Sequence, residues 1–402
     1  MAQRSLYIFN PEHDLALASG ETNYMAPASA RQMAIDLALL PVWYAEEGAE
    51  VLAPSAYNMD FLKKMKGLFG DLAQLITEPE IAGATEFNFS PWGWDPALRR
   101  RLLSLGIDGM QLPTDEYLDV LREHSHRSCA VDLLPKLQLD EYFCGESFYF
   151  RTSEEWKTFV EAQTTCILKA PLSGSGKGLN WCKGVFTPFI SGWCTRVAAL
   201  QAGVVGEPVY NKVEDFAMEF YSDGKGKIKF IGYSIFHTGG SGMYTGNELL
   251  SDNKILNILS VYVPIEELFQ LRDYLEKELS TLFGSFYDGY LGVDMMICHF
   301  PNEFPVYRIH PCVEINLRMN MGVVAHFLTD RYLASAAEGV FQIAYYPDAE
   351  VALREHEKMV ASLPLYIEDR RICKGYLPLV PVTSRSRYRA WIEVTDNLST
   401  IK

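Results

Sequence analysis

The chain has 402 residues, of which 48% are hydrophobic, and a formal net charge of −15. This length is enough for two or three domains with a sizeable core, and the hydrophobic content argues against intrinsic disorder. The acidic balance argues against a dedicated nucleic-acid-binding protein, which requires a basic face, but it leaves room for a local basic pocket that binds phosphates.

Cysteine spacing and hydropathy predict the compartment. The eight cysteines are scattered and form neither a Cys-x-x-Cys pair nor a zinc-site spacing, which is typical of free thiols in a reducing compartment. No stretch reaches about 18 consecutive apolar residues, so we expect no membrane-spanning helix. The short apolar run at residues 6–9 ends too early for a signal peptide. We therefore expect a cytoplasmic protein that contacts neither membrane nor nucleic acid.

Residues 1–120 alternate predicted strands with helices. Strands are predicted at 6–9, 50–53 and 86–89, and a helix at about 28–39. Such alternation is typical of a parallel sheet, so a first unit built on a parallel sheet is expected here. The first strand ends in a polar turn at 10–14, where open α/β sheets bind ligands. Asn10 and His13 of this turn are therefore candidate substrate contacts, with helix capping as the alternative.

Residues 121–212 form a second predicted unit. We expect a helix near 128, a strand at 147–150, a helix after the capping-box pattern that begins at Thr152, a strand at 165–170, a helix at about 188–201 and a strand at 207–213. The glycine-rich loop 171–178 of this unit directly follows one of its strands.

The rest of the chain contains predicted antiparallel strands. In residues 213–335, strands at 215–222 and 227–236 are joined by an Asp-Gly-Lys-Gly turn that favours a hairpin. A helix at 265–283 and strands at 290–298 and 306–317 follow. Residues 336–402 contain a helical stretch at 350–363 and strands at 376–382 and 388–394. This last segment is expected to be an extension packed on the central domain.

The glycine-rich loop has the composition of a phosphate-binding loop. Three glycines within five residues allow backbone amides to turn toward an anion, and Lys169 on the preceding strand can place a positive charge on a phosphate. A Walker A loop is excluded, because Gly178 occupies the position of its Ser or Thr and Pro171 the position of its first glycine. A flexible surface turn is the alternative. The candidate phosphate contacts in the loop are Ser173, Gly174, Ser175, Gly176, Lys177 and Gly178.

The strand at 308–318 carries the strongest chemical signal. With a period of two, its apolar residues share one face. The other face carries Arg308, His310, Cys312, Glu314, Asn316 and Arg318. Carboxylate and amide oxygens on one side of a strand are ligands for a hard cation, and Asp294 on the preceding strand adds a third. We therefore predict that Asp294, Glu314 and Asn316 bind magnesium. The alternative is that Arg308 or Arg318 neutralises the carboxylates.

The order of these pieces resembles the ATP-grasp superfamily. The shared features are a lysine-bearing strand with a small glycine-rich loop, a linker strand into an antiparallel sheet, and an Asp followed by Glu-x-Asn on the next strand. The run from Glu314 to Arg318 is similar to the Glu-x-Asn-x-Arg of biotin carboxylase and carbamoyl-phosphate synthetase. The resemblance implies an α/β and α+β fold, with a Rossmann-like N-terminal domain followed by an ATP-grasp pair of α+β subdomains. In this pair, 121–212 is the lid and 213–335 the central antiparallel sheet.

The resemblance also assigns roles to residues. ATP is the implied nucleotide, with one or two Mg²⁺ ions held by Asp294, Glu314 and Asn316, or Mn²⁺ in their place. Arg318 assists the substrate or an acyl-phosphate. The implied nucleotide contacts are Arg127 and Lys169 for phosphate, Lys212 and Val213 for adenine, and Asp215, with Glu214 beside it, for ribose.

The implied activity is that of an ADP-forming ligase. It joins a small-molecule carboxylate to an amine or thiol acceptor through an acyl-phosphate. A kinase of the same fold and a non-catalytic nucleotide-binding protein are the alternatives. Besides Arg318, the candidate substrate contacts in this half of the chain are His237, Arg308 and His310. The sequence leaves the acid, the acceptor, the choice between ATP and GTP, and a homodimeric state open.

Overall fold

The computed structural model describes residues 4–395 except 83–86, 175, 177 and 241. Within these residues the strands form three sheets, two of four strands and one of nine. The mixture of one parallel and two antiparallel sheets confirms the predicted α/β and α+β fold class. None of the helices in the described ranges combines the length and apolar character needed to cross a membrane.

The N-terminal sheet has the strand order β3-β2-β1-β4, and every neighbouring pair is parallel. Its strands are β1 (Arg4–Ile8), β2 (Glu50–Leu52), β3 (Gln74–Ile76) and β4 (Phe87–Pro91). Its helices are α1 (His13–Ser19), α2 (Ala28–Asp36), α3 (Met59–Phe69), α4 (Glu78–Ile81), α5 (Pro96–Ser104) and α6 (Asp115–His124). Because β1 and β4 are parallel neighbours, the segments that follow Ile8 and Pro91 meet at one edge of the sheet.

Two N-terminal predictions differ from the structure. The polar turn after β1 continues directly into helix α1, which buries Ala16 and Leu17. The helix predicted to reach residue 39 ends at Asp36, and a 3-10 turn, Leu40–Trp43, follows it. Pro41 lies in that turn, and a proline cannot continue α-helical hydrogen bonding from the preceding turn.

The sheet within residues 121–212, the predicted lid, has the order β5-β8-β6-β7 and is antiparallel. Its strands are β5 (Phe148–Phe150), β6 (Cys166–Lys169), β7 (Leu179–Cys182) and β8 (Val204–Pro208), and its helices are α7 (Ser128–Leu133), α8 (Ser153–Ala162) and α9 (Pro188–Gln201). The capping box between Thr152 and Glu155 is present. The single strand predicted at 207–213 is wrong: β8 ends at Pro208, and a separate strand begins at Lys212.

The nine-stranded sheet continues through the C-terminal segment. Its order is β13-β12-β9-β10-β11-β14-β17-β16-β15. The strands are β9 (Lys212–Asp223), β10 (Ile228–Thr238), β11 (Tyr244–Leu249), β12 (Asp288–His299), β13 (Tyr307–Asn316), β14 (Glu338–Tyr345), β15 (Tyr366–Glu368), β16 (Arg371–Pro378) and β17 (Tyr388–Thr395). The helices are α10 (Asp252–Leu259), α11 (Ile265–Phe283), α12 (Met321–Tyr332) and α13 (Ala349–Ser362). Because β14 pairs with β11, the segment after residue 335 extends the central sheet edge to edge. The domain boundaries themselves stay predictions.

One face of the central sheet is covered by helix α11. Its buried leucines recur three or four residues apart, as an amphipathic helix requires, and they share a core with alternate residues of β9 and β12. The intervening residues of these strands therefore face the other side, where polar groups collect. Cys312 is an exception to the predicted alternation. It lies in the core because the β12–β13 register shifts between Asp294 and Met296.

Candidate active site

The predicted metal ligands lie together on two adjacent strands. Asp294 is directly opposite Glu314, and Gly292 is opposite Asn316, in the antiparallel β12–β13 pair. The Asn316 side chain hydrogen-bonds the Asp294 carboxylate. Two carboxylates and an amide therefore share one patch of the sheet, as the two-residue spacing predicts.

A third carboxylate, Glu219 on β9, belongs to this patch. Its backbone lies opposite Gly292, and it accepts hydrogen bonds from Asn320 Nδ2 at 2.8 Å and Ser234 Oγ at 2.9 Å. Burial raises the pKa of Glu219 to about 7. Burial and the nearby Glu314 and Glu219 carboxylates raise the pKa of Asp294 to about 8. The signal in the sequence that could have identified Glu219 is a lone carboxylate inside the apolar run 216–220.

The donor set is chemically suited to magnesium without being a complete protein cage. Among the described residues, no group of three or more His, Cys, Asp or Glu side chains has the arrangement of a metal site. Asp294, Glu314 and Asn316 supply two carboxylates and one amide, and Mg²⁺ usually completes such a set with water and substrate phosphates. The magnesium site stays a prediction, and the crowded carboxylates are the structural feature that favours a cation there.

Arg127 connects the predicted lid to the acidic patch, by which we mean the side chains of Asp294, Glu314, Asn316 and Glu219. Its Nη2 lies 2.7 Å from Glu314 Oε1 in an ion pair. It donates to the Ala170 carbonyl at 2.6 Å, to Ser173 Oγ at 2.7 Å and to the Ser173 carbonyl at 3.2 Å. Arg127 is 7% exposed. The residue that neutralises Glu314 is therefore Arg127, whereas the sequence suggested Arg308 or Arg318 as carboxylate partners.

Arg318 is held by a residue that the sequence did not identify. Its Nε and Nη2 donate to the two oxygens of Asp14 at 2.8 and 2.9 Å, a bidentate pair. Burial opposes the ionisation of Asp14, but the adjacent guanidinium outweighs it and lowers the pKa of this carboxyl. Because Asp14 is on α1, the pair joins the N-terminal domain to the central sheet.

A cleft lies where these groups meet. It is lined by Ser173 of the glycine-rich loop, by His13 and Asp14, by Ser125, and by the end of β13 with Arg318. A side chain at Gly174 would collide with the Asp14 carboxylate, and one at Gly176, whose φ is +70°, would collide with the Gly242 carbonyl. The loop therefore requires glycine at both positions, and its Ser173 lines the same cleft as Glu314 and Asn316. Ser175 and Lys177, two of its candidate contacts, are outside the described residues.

Lys169 is buried in the lid and already has an anionic partner. Its Nζ lies 2.5 Å from Glu207 Oε2, and Ser147 Oγ donates to the other oxygen of that carboxylate at 3.1 Å. The two residues are on neighbouring strands, β6 and β8. The predicted phosphate contact of Lys169 therefore requires it to share or exchange this partner.

His310 is close enough to Lys169 and Glu207 to feel both charges, and it is fully enclosed. It is 0% exposed, both ring nitrogens lack a hydrogen-bond partner, and its ring is 5.7 Å from that of Tyr210. Burial lowers the pKa of His310 to about 4. Its predicted contact with a substrate would need an opening of the lid.

The predicted adenine and ribose contacts lie at the start of β9. Lys212 and Val213 are exposed. Lys212 forms an ion pair with Asp215, and Thr238 Oγ1 bridges them with contacts of 3.0 Å to each. The neighbouring His237 lies 2.7 Å from Glu248, and this hydrogen bond raises the pKa of His237. Lys212, Asp215 and Thr238 therefore form one cluster at the start of β9, and the nucleotide contacts of Lys212, Val213 and Asp215 stay predictions.

The remaining substrate candidates have structural partners. Asn10 is buried and donates to the Gly93 carbonyl at 2.7 Å and to Asp95 Oδ2 at 3.2 Å, so it ties together the segments after β1 and β4. Arg308 pairs with Glu303 at 2.8 Å. Of the substrate candidates, His13 and Arg318 line the cleft.

Comparison with solved structures identifies the fold of this chain. No protein-family model matches the sequence, and no curated protein matches it. The structure is similar to biotin carboxylase from Campylobacter jejuni in its β,γ-ATP complex, with a TM-score of 0.52 and 12% identity over 98% of this chain and 87% of that one. It is also similar to N5-carboxyaminoimidazole ribonucleotide synthetase from Thermus thermophilus, with a TM-score of 0.50 and 11% identity over 98% of this chain and 94% of that one. This chain therefore has the fold of these two proteins, and the motif order that resembles the ATP-grasp superfamily is consistent with that fold.

Proposed function

We propose that the protein is an ATP-dependent, ADP-forming ligase that joins a small-molecule carboxylate to an amine or thiol through an acyl-phosphate. One observation carries this proposal: the oxygen-rich patch of Asp294, Glu314 and Asn316 lies under the glycine-rich loop, and Arg127 bonds to both. A phosphate-binding loop positions the phosphoryl group, and a cation held opposite it stabilises the charge, which are the two things that phosphoryl transfer to a carboxylate requires.

Each group has a role in this proposal. Asp294, Glu314 and Asn316 would hold Mg²⁺, which supplies charge neutralisation at the transferring phosphate. Lys169, Arg127 and the loop amides bind the phosphates and exclude water. Arg318 is a bidentate donor, so it suits an anionic substrate or intermediate. The bound anion takes the place of the Asp14 carboxylate on the Arg318 guanidinium.

The surroundings of the site are consistent with a small substrate pair in the cytoplasm. The cleft is bounded by α1, the loop and the end of β13, and its volume of about 10 Å³ means that it has to open before an acceptor can enter beside the N-terminal domain. All eight cysteines, each within the described ranges, are free thiols, which suits a reducing compartment. The fold shared with the biotin carboxylase in its β,γ-ATP complex supports ATP as the nucleotide.

The test is nucleotide turnover with defined substrate pools. The protein is incubated with Mg-ATP and pools of amino acids, small acids and amines, and ADP and phosphate are measured separately. We expect both products only when two organic substrates are present. ADP without phosphate in the presence of one acceptor would establish a kinase instead. Nucleotide binding without ADP under any pool would favour a non-catalytic protein.

Two substitutions connect this activity to the acidic patch. Glu314→Gln and Asn316→Ala should each lower turnover roughly 100-fold, because each removes a group proposed to stabilise transferred charge. Asn316→Ala breaks no ion pair, so its loss of activity cannot be attributed to Arg127. Glu303→Gln is the matched control, since Glu303 is a half-exposed carboxylate on the loop between the same two strands. Unchanged turnover in both site variants would refute the metal assignment.

A further inference from the structure

A second cavity lies away from the acidic patch, between the N-terminal domain and the C-terminal segment. It has a volume of about 420 Å³, within the range of small-molecule sites. One wall is helix α3 and the other is formed by α13 and residues 376–382. Most of the lining is apolar and includes Phe61, Met65, Leu68, Val360 and Val380. Such walls suit an apolar group.

The polar groups of this cavity are joined by hydrogen bonds. Arg389 Nη2 donates to the Tyr376 hydroxyl at 3.1 Å, and that hydroxyl lies 2.8 Å from His356 Nδ1. A His356 that accepts at Nδ1 carries its proton on Nε2 when neutral. Burial lowers the pKa of His356 to about 4, which keeps it neutral near pH 7. When the Tyr376 hydroxyl donates to Nδ1, His356, which lines the cavity, therefore keeps an N–H donor at Nε2.

The charge around the cavity is positive, although the chain carries a net charge of −15. Lys64 is among the lining residues, and none of these residues is Asp or Glu. Arg389, behind Tyr376, is 0% exposed, and its Nε has no hydrogen-bond partner. Its described contacts are two tyrosine hydroxyls, the Met359 sulfur and aromatic rings, so no carboxylate neutralises it in the part of the chain described. A buried cation without an anionic partner is costly, and an anion in the adjacent cavity would offset that cost.

We propose that this cavity binds a monocarboxylic acid with an apolar body, such as a medium-chain fatty acid. The apolar chain lies against Met65, Leu68 and Val360, and the carboxylate accepts hydrogen bonds from His356 Nε2 and Lys64. The ligand bridges α3 and α13, so it couples the first domain to the C-terminal segment. This site is independent of the proposed ligase activity.

The test is calorimetric titration of the full chain with decanoate below its micellar concentration. Two probes with the same chain, 1-decanol and decyltrimethylammonium, separate the charge from the apolar body. We expect decanoate to bind at least tenfold more tightly than either probe. Equal binding of the acid and the alcohol would overturn the proposal, because it would show a merely apolar groove.

Three variants locate the binding. Lys64→Ala should weaken decanoate binding at least tenfold and leave decanol binding unchanged. Val360→Trp should block both, because it places a large ring in the cavity at a position that is 51% exposed and so tolerates the change. Lys63→Ala, the neighbouring lysine outside the lining, is the matched control and should bind as the wild type does. Equal effects of the two lysine variants, or unchanged binding in Val360→Trp, would refute the site.

Discussion

The substitution Arg127→Met tests whether one guanidinium holds the glycine-rich loop over the acidic patch. The change removes the ion pair to Glu314 and three hydrogen bonds to Ala170 and Ser173, and it leaves their acceptors in a buried setting. Loss of one partner of a buried charge pair costs about 3–5 kcal/mol. Because the Glu314 side chain is 24% exposed, water partly compensates its charge, so we expect the low end, about 3 kcal/mol.

Hydrogen exchange of the backbone amides of β6 and the loop measures this cost directly. The free energy of local opening in Arg127→Met should fall by about 3 kcal/mol. Arg127→Lys keeps the charge but lacks the planar fork, so its opening energy should lie between those of the wild type and Arg127→Met. Adding Glu314→Gln to Arg127→Met should cost less than the two single changes together, because they share one interaction. Opening energies for Arg127→Met within about 0.5 kcal/mol of the wild type would refute the role of Arg127.

The lid and its surroundings allow three further tests. Lys169→Met leaves Glu207 buried without a counter-charge and should destabilise the lid by about 3 kcal/mol. The double change with Glu207→Gln should restore part of that stability. Urea unfolding of the lid checks both variants, and no recovery in the double variant would contradict the pairing. His310, whose folded-state pKa of about 4 lies below its ordinary value of 6.5, stabilises the fold above pH 6.5, and this contribution is lost as the pH falls toward 4. The unfolding free energy of the wild type relative to that of His310→Phe should therefore drop by about 2 kcal/mol between about pH 7 and pH 5, and a difference between the two proteins that does not change with pH would contradict this assignment. Gly176→Ala places a side chain at positive φ against the Gly242 carbonyl and should destabilise the loop by about 1–2 kcal/mol. This change should appear as faster hydrogen exchange of the loop amides. Gly67→Ala, whose added side chain meets open space, is the control.

The sequence by itself determined the elements and the order of motifs. Helix α11 has the bounds that its apolar spacing predicts, and β13 has the register that places Glu314 and Asn316 on one face. These features depend on local periodicity and on turn residues such as those of the β9–β10 hairpin, which short stretches of chain encode. The fold class and the ATP-grasp resemblance were predictable for the same reason.

Only the tertiary structure decided which groups meet. The Asp14–Arg318 pair joins residues 304 positions apart, and Arg127 reaches Glu314 from the lid. Cys312 left the polar face because a register shift changed the side on which it lies, and such a shift depends on how two strands pair. The second cavity exists because α3 and α13, from opposite ends of the chain, border it. Contacts of this kind follow from packing between distant segments, which local sequence periodicity does not encode.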